Sequence, residues 1–176
     1  SSDVALAHSA LVSTDMVVLQ LEIPYETVAF TANLASEHQV PVILNPAPAC
    51  PLDDSLLRQV DYLTPNEVEA ASLTGIEVVD DASANRAAHC LLDRGVGTVI
   101  ITMGDRGSYW ATAGGCGRVA SAKVMSVDTT AAGDAFNGGL AVALSRGQNL
   151  EQAIRFGNYV GAVSVTRSGA QPSLPT

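Results

Sequence analysis

Lysine is nearly absent from this chain, because eight of its nine basic residues are arginines and Lys123 is the only lysine. No Gly-x-x-x-x-Gly-Lys-Ser/Thr run surrounds Lys123, so a Walker-type P-loop is excluded. A Ser-x-x-Lys acyl transferase is disfavoured as well, since Lys123 follows Ser121 by two residues rather than three. Two common catalytic schemes that depend on a lysine are thereby removed.

Positive charge as a whole is scarce, since 18 acidic and nine basic residues leave a net charge of −9. We therefore expect no nucleic-acid or anionic-membrane partner. The chain has no run of about 18 apolar residues that would predict a membrane-spanning helix, and no basic-then-apolar signal segment at its start. These absences favour a cytoplasmic protein.

Metal-ligating and disulfide-forming residues are also few. The three cysteines show no Cys-x-x-Cys spacing, so neither a disulfide framework nor a zinc site is predicted. His8, His38 and His89 fall on helix positions that look exposed, and no pair of them has the spacing of metal ligands. The histidines are therefore interpreted as solvent-facing.

The length of 176 residues and an apolar content of 47% predict one globular domain, residues 1–176, with a hydrophobic core. Short apolar runs alternate with segments of helical period, which predicts a mostly parallel sheet covered by helices. The predicted elements are a short helix after Ser2, strands 16–21, 40–44, 62–63 and 98–102, and helices 25–38, 52–60, 67–73 and 82–94. An antiparallel hairpin is predicted from 108–112 and 118–127 around Gly114-Gly115, followed by helices 132–145 and 150–166.

The densest chemical signal is the segment from Asp128 to Leu140, DTTAAGDAFNGGL. The small residues Ala131, Ala132 and Gly133 lie where the helix 132–145 begins, and the free amides of a helix N-terminus suit a phosphate. Asp134 at that position would stay ionised, and it could accept a proton from an attacking hydroxyl. The alternative is that Asp134 only caps the helix and that Gly138-Gly139 only permit close packing.

The residues Asp128 to Ala141 match, position by position, the C-terminal signature of the ribokinase-like (PfkB) carbohydrate kinase family. The segments LNPAPA (44–49), TPNEVE (64–69), ITMGDRG (101–107) and VTRSGAQPS (165–173) resemble the same family, as does Gln20-Leu21-Glu22. The resemblance covers nearly the whole chain. It implies an α/β, Rossmann-like fold with a mostly parallel sheet flanked by helices on both faces and a C-terminal antiparallel hairpin, with the N-terminal strands and the β-lid of the family missing.

The resemblance also implies roles for individual residues. Asp134 would be the catalytic base, and Glu22 together with Asp134 would bind the sugar. The anion hole would be formed by Ala131, Ala132 and Gly133. ATP would be bound by Asn66, Thr102, Gly104, Asp105, Arg106, Gly107, Gly133 and Asn158, although Asn158 could instead be an ordinary solvent-facing residue.

Two metal sites follow from the same resemblance. Asn66 and Glu69 would organise a hydrated Mg²⁺; the alternative is that Asn66 is only an N-cap and Glu69 its capping-box partner. The loops that hold a monovalent cation, usually K⁺, would comprise Asp128, Thr130, Ser164, Arg167, Gly169 and Ser173. The alternative for residues 167–173 is an ordinary loop that ends a helix.

The implied reaction is the ATP-dependent phosphorylation of D-ribose to D-ribose 5-phosphate, with Mg²⁺ and K⁺ as cofactors. Another sugar or nucleoside kinase of the family remains an alternative, and so does a truncated, inactive nucleotide-binding module. Because the chain begins Ser1-Ser2 without an initiator methionine, we expect it to be part of a longer protein, a homodimer through the missing lid. Alone it should be poorly soluble or self-associated, since missing strands would expose apolar sheet surface.

Overall fold

A computed structural model describes residues 2–175 and contains one mixed sheet of six strands in the order β1-β2-β3-β4-β5-β6. The strands are β1 (Val17–Gln20), β2 (Val42–Asn45), β3 (Tyr62–Leu63), β4 (Thr98–Thr102), β5 (Ser108–Thr112) and β6 (Gly115–Val119). Strands β1 to β4 are parallel, and β5 and β6 complete the sheet as an antiparallel hairpin. The predicted α/β fold class is confirmed.

Eight α-helices accompany the strands in the described residues, besides two short 3₁₀-helices at Gly104–Arg106 and Gln171–Ser173. The α-helices are α1 (Ser2–Leu6), α2 (His8–Val12), α3 (Tyr25–Glu37), α4 (Asp54–Leu57), α5 (Glu67–Thr74), α6 (Asp81–Leu92), α7 (Ala132–Ser145) and α8 (Leu150–Ser164). None of these helices, within residues 2–175, has the length and apolar character to cross a membrane.

The core is divided between the two faces of the sheet. Alternate strand residues point to opposite faces, so Val42 and Leu44 pack in the cluster with α3 to α6, whereas Ile43 packs in the cluster with α7 and α8. The packing of α3 to α6 in one cluster agrees with the right-handed crossovers that sequential parallel strands almost always have. Full burial of one such aliphatic side chain contributes about 1.5–3 kcal/mol to folding.

The helices α7 and α8 approach each other closely through glycine. A Cβ on Gly139 would lie 3.1 Å from the Cα of Gly157, and a Cβ on Gly157 would lie 3.0 Å from the ring of Phe136. Both glycines are buried, and Gly138 faces open space. The close-packing role suggested for Gly138-Gly139 therefore applies to Gly139 alone.

Two predicted helices differ from the structure. The segment 52–60 contains only the four-residue α4, because the chain tightens after Leu57 into i→i−3 bonds from Gln59 and Val60. The first helix is divided at Ala7, where ψ is 7°, into α1 and α2.

The second strand of the predicted hairpin, 118–127, is wrong for most of its length. Thr112 pairs with Gly115, so the turn consists of Ala113 and Gly114, and the strand begins three residues earlier than predicted. It ends at Val119, which is opposite Ser108, because β5 has no further residue to pair with. Residues 120–131, called loop 120–131 below, therefore form no strand, and this loop contains Lys123.

Candidate active site

The first turn of α7 lies at the carboxyl ends of β1 and β2. Gln20, the last residue of β1, donates a 2.6 Å hydrogen bond from Nε2 to Oδ1 of Asp134. Asn45, the last residue of β2, is beside the same turn, since a Cβ on Gly133 would lie 3.8 Å from its Nδ2. Open α/β sheets bind ligands at this edge. The Asp134 carboxylate is thus held where a ligand would bind.

The helix α7 begins from a left-handed residue. Ala131 has φ 60° and ψ 15°, a conformation that alanine rarely adopts. The amide of Ala132 donates to the carbonyl of Thr129 at 3.2 Å, so it is not free for the predicted anion hole. The amides of Ala131, Gly133 and Asp134 have no acceptor within residues 2–175. Any anion cradle here is therefore built from these three donors.

Two buried polar side chains support this turn. The Thr64 hydroxyl donates to Oδ1 of Asn137 at 2.7 Å, and Nδ2 of Asn137 donates to the carbonyl of Gly133 at 2.9 Å. The pair connects the end of β3 to α7. Each of these buried polar groups thereby has the hydrogen-bond partner that burial requires. Sequence reasoning missed both side chains. The available signal was an asparagine in an otherwise small and apolar helix segment.

Asn45 was also missed as a functional side chain. It is only 6% exposed, and its amide makes no hydrogen bond within residues 2–175. Its side-chain amide atoms are not fully enclosed, since the buried side-chain polar atom without a partner in residues 2–175 is Nε1 of Trp110. The position of Asn45 beside Gly133 therefore offers a further polar group to a ligand at the start of α7.

A cleft of about 710 Å³ opens beside this turn, a volume suited to a small-molecule ligand. Its walls are residues 104–107 (called loop 104–107 below), loop 120–131 and the facing parts of α7 and α8. Six of the residues predicted to bind ATP line it: Thr102, Gly104, Asp105, Gly107, Gly133 and Asn158. Contact with ATP stays a prediction for each of them.

Loop 104–107 depends on a glycine that no other residue can replace. Gly107 has φ 90°, and a Cβ on it would lie 2.1 Å from the carbonyl oxygen of Val119. Its own carbonyl accepts a 2.7 Å hydrogen bond from the amide of Met103. Gly104 has φ 57° but faces open space. The loop is therefore pressed against the end of β6 at Gly107 only.

Arg106 differs from the expectation that it binds ATP, because its side chain does not line the cleft. Its guanidinium pairs with Glu67 and donates to the carbonyl of Val79 at 2.5 Å. Arg118 donates to the carbonyl of Arg106 at 2.8 Å and pairs with Asp81 at 3.1 Å. These contacts fasten loop 104–107 to the starts of α5 and α6.

Asn66 and Glu69 form a capping box at the start of α5. The Glu69 amide donates to Oδ1 of Asn66 at 2.9 Å, and Oε2 and Oε1 of Glu69 accept from the Asn66 amide and Nδ2, both at 2.8 Å. Burial raises the pKa of Glu69, and the bond from the Asn66 amide opposes that rise. A backbone bridge places Asn66 beside Thr102.

The alternative to magnesium binding, a capping box, is thus present in the structure, and the Mg²⁺ role stays a prediction. No group of three or more His, Cys, Asp or Glu residues that could hold a metal ion occurs in residues 2–175.

Asn158 is buried rather than solvent-facing, so that alternative is wrong. Its Oδ1 accepts a 2.6 Å hydrogen bond from the hydroxyl of Ser108, and its Nδ2 donates to the carbonyl of Val119 at 3.0 Å. These bonds join α8 to both strands of the hairpin. Asn158 therefore shapes the wall of the cleft with its amide already engaged.

Asp128 connects the two loops that were predicted to hold K⁺. Its Oδ1 accepts from the amide of Thr130 at 2.9 Å, and its Oδ2 accepts from the amide of Gly169 at 2.8 Å. These bonds, chiefly the one from Gly169, lower the pKa of Asp128 to about 2. The structure therefore brings 128–130 and 169 together, while the ion itself stays a prediction.

The other predicted K⁺ residues are less directly connected to Asp128. The hydroxyls of Ser164 and Ser173 donate to carbonyls of their own turns, Gly161 and Ala170, at 2.8 and 2.7 Å. Arg167 is exposed.

The comparison with protein families decides what kind of protein has this site. The sequence model of the protein family described as "pfkB family carbohydrate kinase" matches residues 2–176. The chain belongs to the PfkB family of carbohydrate kinases.

Curated PfkB-family relatives match almost the whole chain. A ribokinase of Haemophilus influenzae is 44% identical over 170 residues, which are 97% of this chain and 56% of the relative. A deoxyribokinase of Salmonella typhi is 37% identical over 175 residues, 99% of this chain and 57% of the relative. The chain thus spans little more than half the length of these relatives.

Solved structures agree with the fold. The ribokinase of Arabidopsis thaliana, complexed with ribose and ATP, is similar with a TM-score of 0.92 and 31% identity, covering 99% of this chain and 56% of the other. A ribokinase from Thermotoga maritima has a TM-score of 0.86 and 40% identity, covering 96% of this chain and 56% of the other.

Two charged residues of this PfkB-family chain, Lys123 and Glu22, lie in the loops that follow β6 and β1. Lys123 lines the cleft from loop 120–131, which sequence reasoning missed because it placed this lysine in a strand. Glu22 follows β1 and is exposed, and its side chain makes no hydrogen bond within residues 2–175. The structure therefore gives Lys123 a place in the cleft and leaves the sugar-binding role of Glu22 a prediction.

Proposed function

We propose that this chain carries the nucleotide-binding and catalytic part of a kinase that transfers the terminal phosphoryl group of ATP to D-ribose, giving ADP and D-ribose 5-phosphate. The observation that carries the proposal is the Asp134 carboxylate, which Gln20 holds in the same helix turn as the free amides of Gly133 and Asp134, and Gly133 lines the cleft. The similarity to ribokinases supports ribose as the acceptor.

Asp134 acts as the general base. Gln20 occupies Oδ1 of Asp134, which leaves Oδ2 to accept the proton of the primary hydroxyl of the sugar. The hydroxyl oxygen then forms a bond to phosphorus as the bond from phosphorus to the bridging oxygen of ADP breaks. Glu22 hydrogen-bonds other hydroxyls of the sugar.

The free amides of Ala131, Gly133 and Asp134 form the anion hole. They point from a helix N-terminus, where partial positive charge accumulates, and they stabilise the negative charge on the transferred phosphoryl group. Asn45 adds a neutral donor beside Gly133, and Lys123 adds a positive charge from loop 120–131. Catalysis here consists of positioning and electrostatic stabilisation.

The family implies Mg²⁺ and K⁺, and the residues present fit both ions. The oxygens of Asn66 and Glu69 suit a hard cation, and because both Glu69 oxygens already accept hydrogen bonds, these residues would hold Mg²⁺ through its water. The loops of Asp128 and Gly169, with Thr130, Ser164, Arg167 and Ser173, would hold K⁺. When bound, the ions offset phosphate charge.

The test is sugar-dependent ADP release by the purified chain with Mg-ATP and K⁺. D-ribose is compared with 2-deoxyribose, fructose and a nucleoside, and ATP binding is measured by calorimetry in parallel. Asp134→Asn should lower turnover by about 10²- to 10⁴-fold while ATP affinity stays within about twofold. Asp93→Asn, an exposed residue at the end of α6, is the matched control and should be unchanged.

Each alternative has its own outcome in this experiment. A preference for deoxyribose or a nucleoside would replace ribose by another sugar or nucleoside kinase activity. ATP binding without turnover on any acceptor would leave a nucleotide-binding module. Near-normal turnover by Asp134→Asn would remove Asp134 from the role of base. The homodimer through a lid outside this chain, and the expected self-association of the chain, remain predictions that light scattering can test.

A further inference from the structure

Two histidines that are far apart in sequence lie together on the surface. His8 belongs to α2, and His38 follows directly after the end of α3. Their Nε2 atoms are 3.3 Å apart, their ring centroids 5.0 Å apart, and their ring planes are inclined by 85°. Both side chains are exposed. The pair is thus open to an ion from solvent.

The separation of the two nitrogens is the one expected for two ligands of a single metal ion. Tetrahedral Zn²⁺ with bonds of about 2.0–2.1 Å places two histidine nitrogens about 3.3–3.4 Å apart. Ligands at right angles around a square-planar ion would be closer, at about 2.9 Å. Without an ion, the same 3.3 Å separation allows a hydrogen bond between the two rings, with the donor set by the tautomers.

We propose that His8 and His38 form a binding site for a divalent transition metal of the zinc type, with water or a small exogenous ligand in the remaining two positions. Neutral imidazole nitrogens are common zinc ligands, and water can fill coordination positions that the protein leaves open. The site is separate from the candidate active site. The helix α2 leads into the start of β1, and the end of α3 leads into the start of β2, whereas Gln20 and Asn45 lie at the opposite, carboxyl ends of these strands.

The ion would fasten a weakly attached segment to the sheet. The helices α1 and α2 contain no buried residue, and the contact of α2 with the core is the partly buried Leu11. Binding at His8 and His38 would join the segment that leads into β1 to the segment that leads into β2. A ligand that binds only the folded form stabilises it, about 100-fold in the folding equilibrium at 100 times the dissociation constant.

The site is tested by titrating Zn²⁺ into the metal-free chain in a calorimeter, with the visible spectrum of Co²⁺ as a probe of coordination geometry. We expect one ion per chain, a tetrahedral Co²⁺ spectrum and a rise in melting temperature with Zn²⁺. His8→Asn and His38→Asn should each weaken binding at least about tenfold. His89→Asn is the matched control, since His89 is also exposed but bonds within its own helix, to the carbonyl of Asn85.

Three outcomes would overturn the proposal. Affinity that is unchanged in both His8→Asn and His38→Asn would place the ion elsewhere. Charge-transfer bands from sulfur, abolished by Cys116→Ser, would assign it to the exposed thiol of Cys116. One ion per two chains, with a matching increase in mass by light scattering, would show a bridge between copies instead of a clamp within one chain. Circular dichroism checks that each variant is folded.

Discussion

The two loops that form the walls of the cleft are built in opposite ways. Loop 104–107 is fastened at both sides, by the pairing of Arg106 with Glu67, by Arg118 and by the contact of Gly107 with Val119. Loop 120–131 has no regular structure before Asp128, and it exposes large apolar side chains, namely Val124, Met125 and Val127.

The difference implies that the two walls of the cleft contribute differently to ligand binding. A wall that is already held in place loses little conformational entropy when a ligand binds, so it supplies affinity and geometry. In loop 120–131, residues 121–126 make no backbone-to-backbone hydrogen bond within residues 2–175, so holding them against a ligand would cost more conformational entropy. They would contribute apolar area and the charge of Lys123. Substitutions in loop 104–107 should therefore have large effects in the free protein, and substitutions in loop 120–131 small ones.

The largest effect is expected from Gly107→Ala. The added Cβ would overlap the carbonyl of Val119 in a left-handed conformation, so we expect a loss of about 3 kcal/mol or more in the free energy of unfolding. ATP binding should be lost with it. Gly104→Ala, whose Cβ has open space, should cost only about 1–2 kcal/mol. Urea unfolding and calorimetry measure both, and equal losses would contradict the contact with Val119.

A smaller effect is expected from Glu67→Gln. The pair with Arg106 is about one-third exposed, so its loss should lower the free energy of unfolding by only about 0.5–1 kcal/mol. Because Arg106 positions loop 104–107, ATP affinity should fall by about three- to tenfold, equivalent to roughly 0.7–1.4 kcal/mol. Glu77→Gln, at an exposed acid that follows the end of α5, is the control. Unchanged ATP affinity would mean that the loop holds its position without this ion pair.

The fixed end of loop 120–131 should show itself in the pH dependence of stability. The pKa of Asp128 is about 2, below its ordinary 3.8, so its ionised form stabilises the folded state above pH 4 and this contribution is lost as pH falls from about 4 to 2. Asp128→Asn should lack that contribution. The difference in melting temperature between the two proteins should therefore narrow across this range, and a constant difference would contradict the two amide bonds.

Glu69 should affect the pH dependence of stability in the opposite direction to Asp128. Burial raises its pKa, so its ionised form disfavours folding, and stability should decline as pH rises through the folded-state pKa. The free energy of unfolding, measured against pH for the unchanged chain and for Glu69→Gln, tests this. The decline should be absent from Glu69→Gln, while the contribution of Asp128 at low pH remains.

The smallest effect is expected from Met125→Ser. Met125 is 85% exposed and lies in residues 121–126, which make no backbone-to-backbone hydrogen bond within residues 2–175, so the free energy of unfolding should change by less than about 0.5 kcal/mol. The matched substitution Met103→Ser, in a residue that is 1% exposed, should cost several times as much. Similar costs for the two methionines, measured by urea unfolding, would show that loop 120–131 is packed in solution.

Much of the fold was predictable from local signals. Strands 62–63, 98–102 and 108–112 and helix 132–145 have the predicted bounds, because polar, glycine or small residues interrupt the apolar pattern at both ends. The strand predicted at 118–127 failed because Val124 and Met125 have strand-like composition, while pairing depends on the length of β5.

The residues of the candidate site also fall into those that the sequence predicted and those that it did not. Asp134, Gly107 and the capping box of Asn66 and Glu69 were recognisable from motifs, since the residues involved are close in sequence. Gln20 and Asn45 lie in segments that resemble the family, but their positions beside α7 were not predictable, because each is an ordinary polar residue at a strand end until α7 is placed against it.

The sequence by itself determined the alternation of strands and helices, the family resemblance and the small residues at the start of α7, because these follow from neighbours along the chain. Tertiary structure alone decided that Gln20 bonds Asp134 across 114 residues, that Arg106 points to Glu67 instead of the cleft, and that His8 lies beside His38. The physical reason is that a hydrogen bond or an ion pair requires two groups within a few ångströms, and only the packing of helices on the sheet brings such distant residues that close.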